Sequence, residues 1–367
     1  MSKLKKCWSV GWRVGFCLLL LLWIFHSIFM NQGKFAAQTA GLDWSHMDRS
    51  QQWSLAWTKG PQDLWHTLRT IDSVALVVSL LLLGLALFVC VVRWRIVLEA
   101  QGLHLPLGRA TRISLVAQFF NSFLLGSTGG DLIKAYYAAR ETHHKKTEAV
   151  TTVFVDRLVG LWSMLLFAGV MMIPNYEMLR ASRDVGVPAL LILVMLGGLT
   201  IVLGLAFWGG VSKGFPKARE YLRRLPKGEL LERALDSCRQ FGKQKSFLLK
   251  TVAISLLVNV LMVEQMSVLA RGLDLHITSM ALYVIVPVIL CISSLPITPN
   301  GLGVRENLYV LMLAVIKVDK TAALSVSLIA SAQGMFWSMV GGLIYMGVRQ
   351  KEHLSEVTQA GVDAKEN

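Results

Sequence analysis

The sequence predicts an all-α polytopic membrane protein, with about six full spans and two re-entrant helical hairpins laid out as an inverted repeat. Three observations predict it. Only 16% of the 367 residues are charged, well below the usual quarter. The apolar residues are gathered into long runs, several near the roughly 20 residues that cross about 30 Å of hydrocarbon. Two further apolar stretches are too short to cross, and each is broken by glycine or proline beside full spans.

Net charge is +14. In a soluble chain that would point to nucleic acid. Here the basic residues fall mostly in the loops that the positive-inside rule assigns to the cytoplasm, so no nucleic-acid partner is expected. Cys7, Cys17, Cys90, Cys238 and Cys291 show no C-x-x-C spacing, which argues against disulfides and a zinc site. His143-His144 has no ligand ladder around it. No metal or other cofactor is expected.

Taken in order, Lys3, Lys5, Lys6 and Arg13 precede an apolar run at 14–30. This reads as a retained signal anchor with a cytoplasmic N-terminus. Segment 31–72 is polar and carries Trp44, Trp53, Trp57 and Trp65. It is expected in the periplasm, with helices lying at the membrane interface. Segment 73–94 returns inward and ends on Arg93 and Arg95.

An apolar run at 113–125 then leads into Asn121-Ser-Phe-Leu-Leu-Gly126-Ser127-Thr-Gly129-Gly130-Asp131, and a short run at 132–142 leaves it. Arg109 and Arg112 stand before this stretch, and Arg140, Lys145 and Lys146 after it. It therefore reads as a hairpin entered and left from the cytoplasm. Non-helical backbone survives at membrane depth only where protein or a watery cavity surrounds it, so a polar cavity is expected there.

Segment 149–173 goes out and carries Asp156-Arg157. Segment 188–208 comes back, and the strongly basic loop 212–250 anchors the orientation. Segment 247–270 goes out. Segment 280–295 meets a second break, Pro296-Ile-Thr298-Pro299-Asn-Gly301-Leu-Gly303-Val-Arg305-Glu306, followed by a short run at 308–318 and a last span at 322–348. The inverted halves are 73–173 and 247–348, within a membrane domain at 73–348. The polar tail 349–367 is expected to be disordered. Such paired breaks are how inverted-repeat transporters build a midplane site.

Glycines at 126, 129 and 130 permit close backbone approach. The helix that follows would offer its N-terminal N–H groups to an anion, or Asp131 would cap it; both remain open. Thr298-Pro299 reads as a helix start. Asp156-Arg157 and Arg305-Glu306 are neighbours along a helix and do not face each other. Each charge therefore needs a partner elsewhere. Arg305 is expected near Asp156 or Asp131, and Arg157 near Glu306 or another carboxylate. Such a network suits either a structural tie or a cavity lining. Asn259, Glu264 and Gln333 suit cavity lining or helix packing.

These residues resemble the flippase-like transmembrane family, which includes the membrane half of lysylphosphatidylglycerol synthases and the YbhN-type proteins. The resemblance rests on Asn121 through Gly129-Gly130-Asp131, Asp156-Arg157-Leu158 with Gly160, and Pro296-x-x-Pro-x-Gly-x-Gly-x-x-Glu306. It implies a multi-pass protein of the bacterial inner membrane, both termini cytoplasmic, that binds and translocates a lipid or lipid-linked amphiphile. The alternative is a non-transporting lipid-binding subunit that supports a partner enzyme of envelope lipid metabolism. Candidate substrate-binding residues are Asn121, Gly129, Gly130, Asp131, Lys134, Asp156, Arg157, Pro296, Pro299, Gly301, Gly303, Arg305 and Glu306. One departure is visible. Family members commonly carry proline in the first break and arginine after its aspartate, where this chain has Gly126, Ser127 and Lys134. Lysine keeps the charge but not the bidentate fork. No catalytic constellation, synthase domain or P-loop is found, so the protein is not expected to be an enzyme.

Overall fold

The computed structural model describes residues 26, 29–30, 33–34, 36–38, 40–122, 129–141, 146–176, 183–208, 241, 245–295 and 304–366. Among them the regular structure is entirely helical. A helix α1 (Arg49–Thr70) precedes α2 (Ser73–Ala100), α3 (Leu107–Asn121), α4 (Gly129–Glu141) and α5 (Lys146–Met172). Then come α6 (Arg183–Trp208), α7 (Lys245–Gly272), α8 (Ser279–Ser293), α9 (Val304–Val315) and α10 (Lys320–Glu366). Among the described residues five helices, α2, α5, α6, α7 and α10, are long and apolar enough to cross a membrane. The chain is an all-α polytopic membrane protein. Its expected first span, 14–30, falls largely outside the described residues.

Local chemistry sets the helix ends. Asp72 starts α2 by accepting a hydrogen bond from Ala75 N at 3.0 Å, the usual N-cap device. The α2–α3 connection, 101–106, turns on Gly102 at φ 67°, and the α7–α8 connection, 273–278, on Asp274 at φ 56°. Glycine and aspartate are among the few residues that tolerate that region.

The two halves correspond in length. Helices α2 and α7 have 28 residues each, α3 and α8 have 15 each, and α4 and α9 have 13 and 12. They correspond in packing too. The opening spans α2 and α7 pack against each other. Helix α3 packs on α10 and α8 packs on α5; α4 packs on α5 and α9 packs on α10. Among the described residues, the main helix–helix packings within and across the halves pair off under this exchange. Small residues make the α3–α10 approach possible: a Cβ on Gly341 would run into the Leu115 carbonyl, and one on Gly342 would meet the Phe119 ring at 2.8 Å.

At about 1.5 Å per residue, α3 and α8 are each about 22 Å long and α4 and α9 are shorter still. Arg109 Nη1 bonds Glu141 Oε2 at 2.8 Å, so the start of α3 and the end of α4 lie together. The larger core is built around α8, whose Leu282, Ile285 and Ile289 are fully buried against α5, α7 and α9.

Two boundaries differ from the sequence reading. Helix α3 begins at Leu107 and stops at Asn121, earlier than the apolar run suggests. Helix α10 runs on to Glu366, where a disordered tail was expected. An existing helix extends without a new nucleus, and Lys, Glu, Gln and Ala in this stretch are strong helix formers.

Candidate functional site

A cavity of about 490 Å³ lies between α2, α3, α4, α5 and α7. Helix α3 offers it Thr111, Ser114, Gln118 and Asn121; α2 offers Arg93; α4 offers Asp131 and Lys134; α5 offers Asp156 and Arg157. Apolar side chains such as Leu87, Met164 and Met262 complete the wall. A cavity of this size with a few convergent polar groups is the usual form of a small-molecule site.

The charges form one cluster. Arg93 Nε donates to Asp156 Oδ1 at 2.8 Å, and its Nη1 donates to Ser255 Oγ at 3.0 Å. Lys134 Nζ lies 3.4 Å from Asp156 Oδ2. It also sits 4.2 Å from the centroid of the Trp94 ring, a cation–π contact. Arg157 donates from Nε to Asp131 Oδ2. The Arg93–Asp156 pair is the buried floor, with side chains 10% and 7% exposed, while Arg157 is 41% exposed. Gly160 makes the floor possible, because a Cβ there would sit 2.8 Å from both terminal nitrogens of Arg93.

The glycine pair is placed differently from its sequence reading. Gly129 and Gly130 form the first turn of α4 rather than a loop. Gly130 is required because a Cβ would strike the Ala117 carbonyl of α3. Its N–H donates to Asn121 Oδ1 at 2.7 Å, so the cap of α4 comes from α3. Asp131 is not that cap, since its carboxylate turns to Arg157.

A smaller chamber of about 190 Å³ adjoins the first and shares Leu87, Cys90, Gln118, Val258, Met262 and Leu290 with it. It holds Arg305, Ser331, Gln265 and Tyr309. Arg305 is not near Asp156 or Asp131, as the sequence reading expected. It reaches the neighbouring Glu306 at 3.4 Å and donates to Ser331. The long arginine stem bends back, so adjacency along the helix does not prevent the contact. Arg157 does meet a carboxylate, that of Asp131 rather than Glu306. Gln265 Nε2 donates to Gln333 Oε1 at 2.7 Å, and Gln333 Nε2 donates to Ser79 Oγ at 2.6 Å, so Gln333 joins α10, α7 and α2. Asn259 lines the larger cavity, and Glu264 accepts from the Tyr283 hydroxyl at 2.8 Å. Gly126, Ser127, Pro296, Thr298, Pro299, Gly301, Gly303 and His143-His144 lie outside the described residues.

Sequence reasoning missed Arg93, reading it as the inner flank of a span. The signal was there: Val97 and Leu98 continue the apolar face past it, and both are buried. Ser255 gave no local signal, and Gly160 entered only through the family resemblance, with no hint of the room it makes for Arg93.

Among curated proteins nothing matches the chain. The family model described as the lysylphosphatidylglycerol synthase TM region matches residues 51–342. That match spans α2 to α9 and most of the membrane part of α10, and takes in every residue of both chambers. The chain therefore belongs to the lysylphosphatidylglycerol synthase transmembrane-region family, and is a multi-pass membrane protein linked to lipid metabolism.

Proposed function

We propose that the protein translocates a lipid or lipid-linked amphiphile between leaflets of the bacterial inner membrane, with both termini in the cytoplasm. On this reading α3–α4 and α8–α9 are re-entrant hairpins of two inverted halves, and the larger cavity receives the headgroup. One observation carries it: a charged cavity of about 490 Å³ set among helices long and apolar enough to cross a membrane. Charges inside a membrane protein are costly and mark substrate paths. Hairpin helices of about 22 Å, too short to cross, and the matched packing of the halves support the inverted-repeat arrangement.

A non-transporting subunit would suit a cavity filled by its own ion pairs. The open volume beside Arg157 favours transport over that alternative. The acidic and basic groups of the cavity are committed to one another, which suits binding better than catalysis.

The test is a leaflet-sidedness assay with the full chain in vesicles, using fluorescent lipids of several headgroups and an impermeant quencher. Protein-dependent loss of the protected fraction is expected, and Asp156→Asn should abolish it. Unchanged protection for every lipid class would overturn the transport reading.

A further inference from the structure

We propose that a crevice on the other side of α3 from the charged cavity binds the phosphate of an anionic lipid in the adjoining leaflet, as a fixed lipid that ties α3 and α4 to α10. Helix α3 has two lining faces. Thr111, Ser114, Leu115 and Gln118 line the larger cavity. Arg109, Arg112, Ile113 and Val116 line a separate crevice of about 130 Å³, which α4 completes with Tyr137 and Glu141 and α10 with Tyr345. Both sets have the i, i+3, i+4, i+7 spacing of one helix face. They are offset by two residues, which puts them on nearly opposite sides of the helix. Among the described residues the two sites share no lining side chain.

The crevice is layered. Ile113 and Val116 are buried and make an apolar floor. Tyr137 and Tyr345 give it aromatic sides, and the Tyr345 ring is held edge-on against Phe120 of α3 with centroids 5.3 Å apart. Arg109, Glu141 and Arg112 form the rim. Arg109 Nη1 donates to Glu141 Oε2 at 2.8 Å, so those two charges answer each other. Arg112 is exposed and, among the described residues, has neither an ion pair nor a hydrogen bond. A headgroup ammonium would have to compete with Arg109 for Glu141. A phosphate can take the forked donors of Arg112 and breaks no existing pair. Helix α3 also starts on Pro106 with no side-chain cap and no acidic residue in its first turn, so the positive end of its dipole favours the same anion.

Depth selects a lipid over a free anion. Tyr345 stands two residues inside the end of the apolar helix stretch Ala322–Gly347, the level at which tyrosines mark a membrane–water interface. A headgroup phosphate held there leaves its glycerol and first chain carbons against Ile113 and Val116. Basic pockets between membrane helices near the surface bind anionic headgroups in this way. Such a lipid would touch α3, α4 and α10 at once. Among the described residues α4 has no extensive packing on α10, so the lipid would supply the bridge between them.

The test melts the purified full-length protein in phosphatidylcholine nanodiscs while the fraction of phosphatidylglycerol is raised, with glycerol phosphate as the soluble probe. Phosphatidylglycerol should raise the melting temperature saturably. Arg112→Gln should melt with the wild type in phosphatidylcholine alone, because it breaks no pair among the described residues. Its half-saturating fraction of phosphatidylglycerol should be about tenfold higher, the scale of one charge-assisted contact. Arg112→Lys should recover most of that loss. A lipid bound only in the larger cavity would stabilise wild type and variants alike, so superimposed titrations overturn this proposal and leave the cavity reading standing. Stabilisation by glycerol phosphate that Arg112→Gln abolishes, with none from the lipid, would mean a soluble anion and overturn the lipid assignment. No stabilisation by either probe overturns the site.

Discussion

The two hairpins occupy matching places and differ in chemistry. Helix α3 faces a cavity and carries Arg109, Arg112, Thr111, Ser114, Gln118 and Asn121. Helix α8 is enclosed by α5, α6, α7 and α9 and has no charged residue; it gives the larger cavity only Leu290. The ties behind them differ in the same sense. In one half Arg93 and Asp156 bind α2, α5 and α7 through an ion pair. In the other, Gln265 and Gln333 bind α7, α10 and α2 through neutral amides. A shared backbone plan thus carries one face that lines a charged cavity and one that packs.

The largest expected effect breaks the charged tie. Asp156→Asn leaves Arg93 buried without its carboxylate and should cost about 3–5 kcal/mol, read as a lowered melting temperature in detergent. Glu306→Gln should cost less, because Arg305 keeps Ser331. Equal losses would mean that the two halves are equally charge-dependent.

Next comes the close approach of α3 and α4. Gly130→Ala drives a Cβ into the Ala117 carbonyl, a backbone atom that cannot swing aside. It should destabilise at or above the upper end of the roughly 1–3 kcal/mol seen for overpacking. Gly334→Ala on α10 meets nothing within 4 Å. It should be neutral or gain up to about 1 kcal/mol from helix propensity. A melting comparison of the two single variants checks this.

The neutral tie gives a smaller effect. Gln333→Leu strands the Gln265 amide and should cost about 1–3 kcal/mol, while adding Gln265→Leu should recover most of it, since removing both partners is nearly neutral. A double-mutant cycle measures the difference. The smallest effect is at the cap: Asn121→Ala removes the acceptor for Gly130 N–H and should cost about 1 kcal/mol.

Much of this was legible in the sequence. The five long apolar helices follow from hydrophobic length, and the short helices α3, α4, α8 and α9 from runs too short to cross. The gathering of Asp131, Lys134, Asp156 and Arg157 follows from the cost of charge in hydrocarbon. What was not legible is who pairs with whom. Arg93 and Ser255 meet through tertiary packing of α2 against α7, which no local pattern encodes. The reach of Arg305 back to Glu306 depends on rotamers rather than on spacing. Gly130 looked like turn chemistry, yet it is helical and small because α3 passes over it.

The buried floor also constrains the order in which the chain enters the bilayer. Synthesis runs from the N-terminus, so Arg93 on α2 is made well before Asp156 on α5. On insertion scales an arginine at the centre of a span costs about 2.5–3.5 kcal/mol. Arg93 stands within two turns of the end of α2 at Ala100, so its side chain can stretch to the headgroup region while it waits. Only when α5 arrives can it swing inward to its carboxylate. Biogenesis is therefore expected to have a commitment point at Asp156, in the first half of α5: a nascent chain halted before Asp156 should hold α2 shallow, and one released after it should seat α2 deeper.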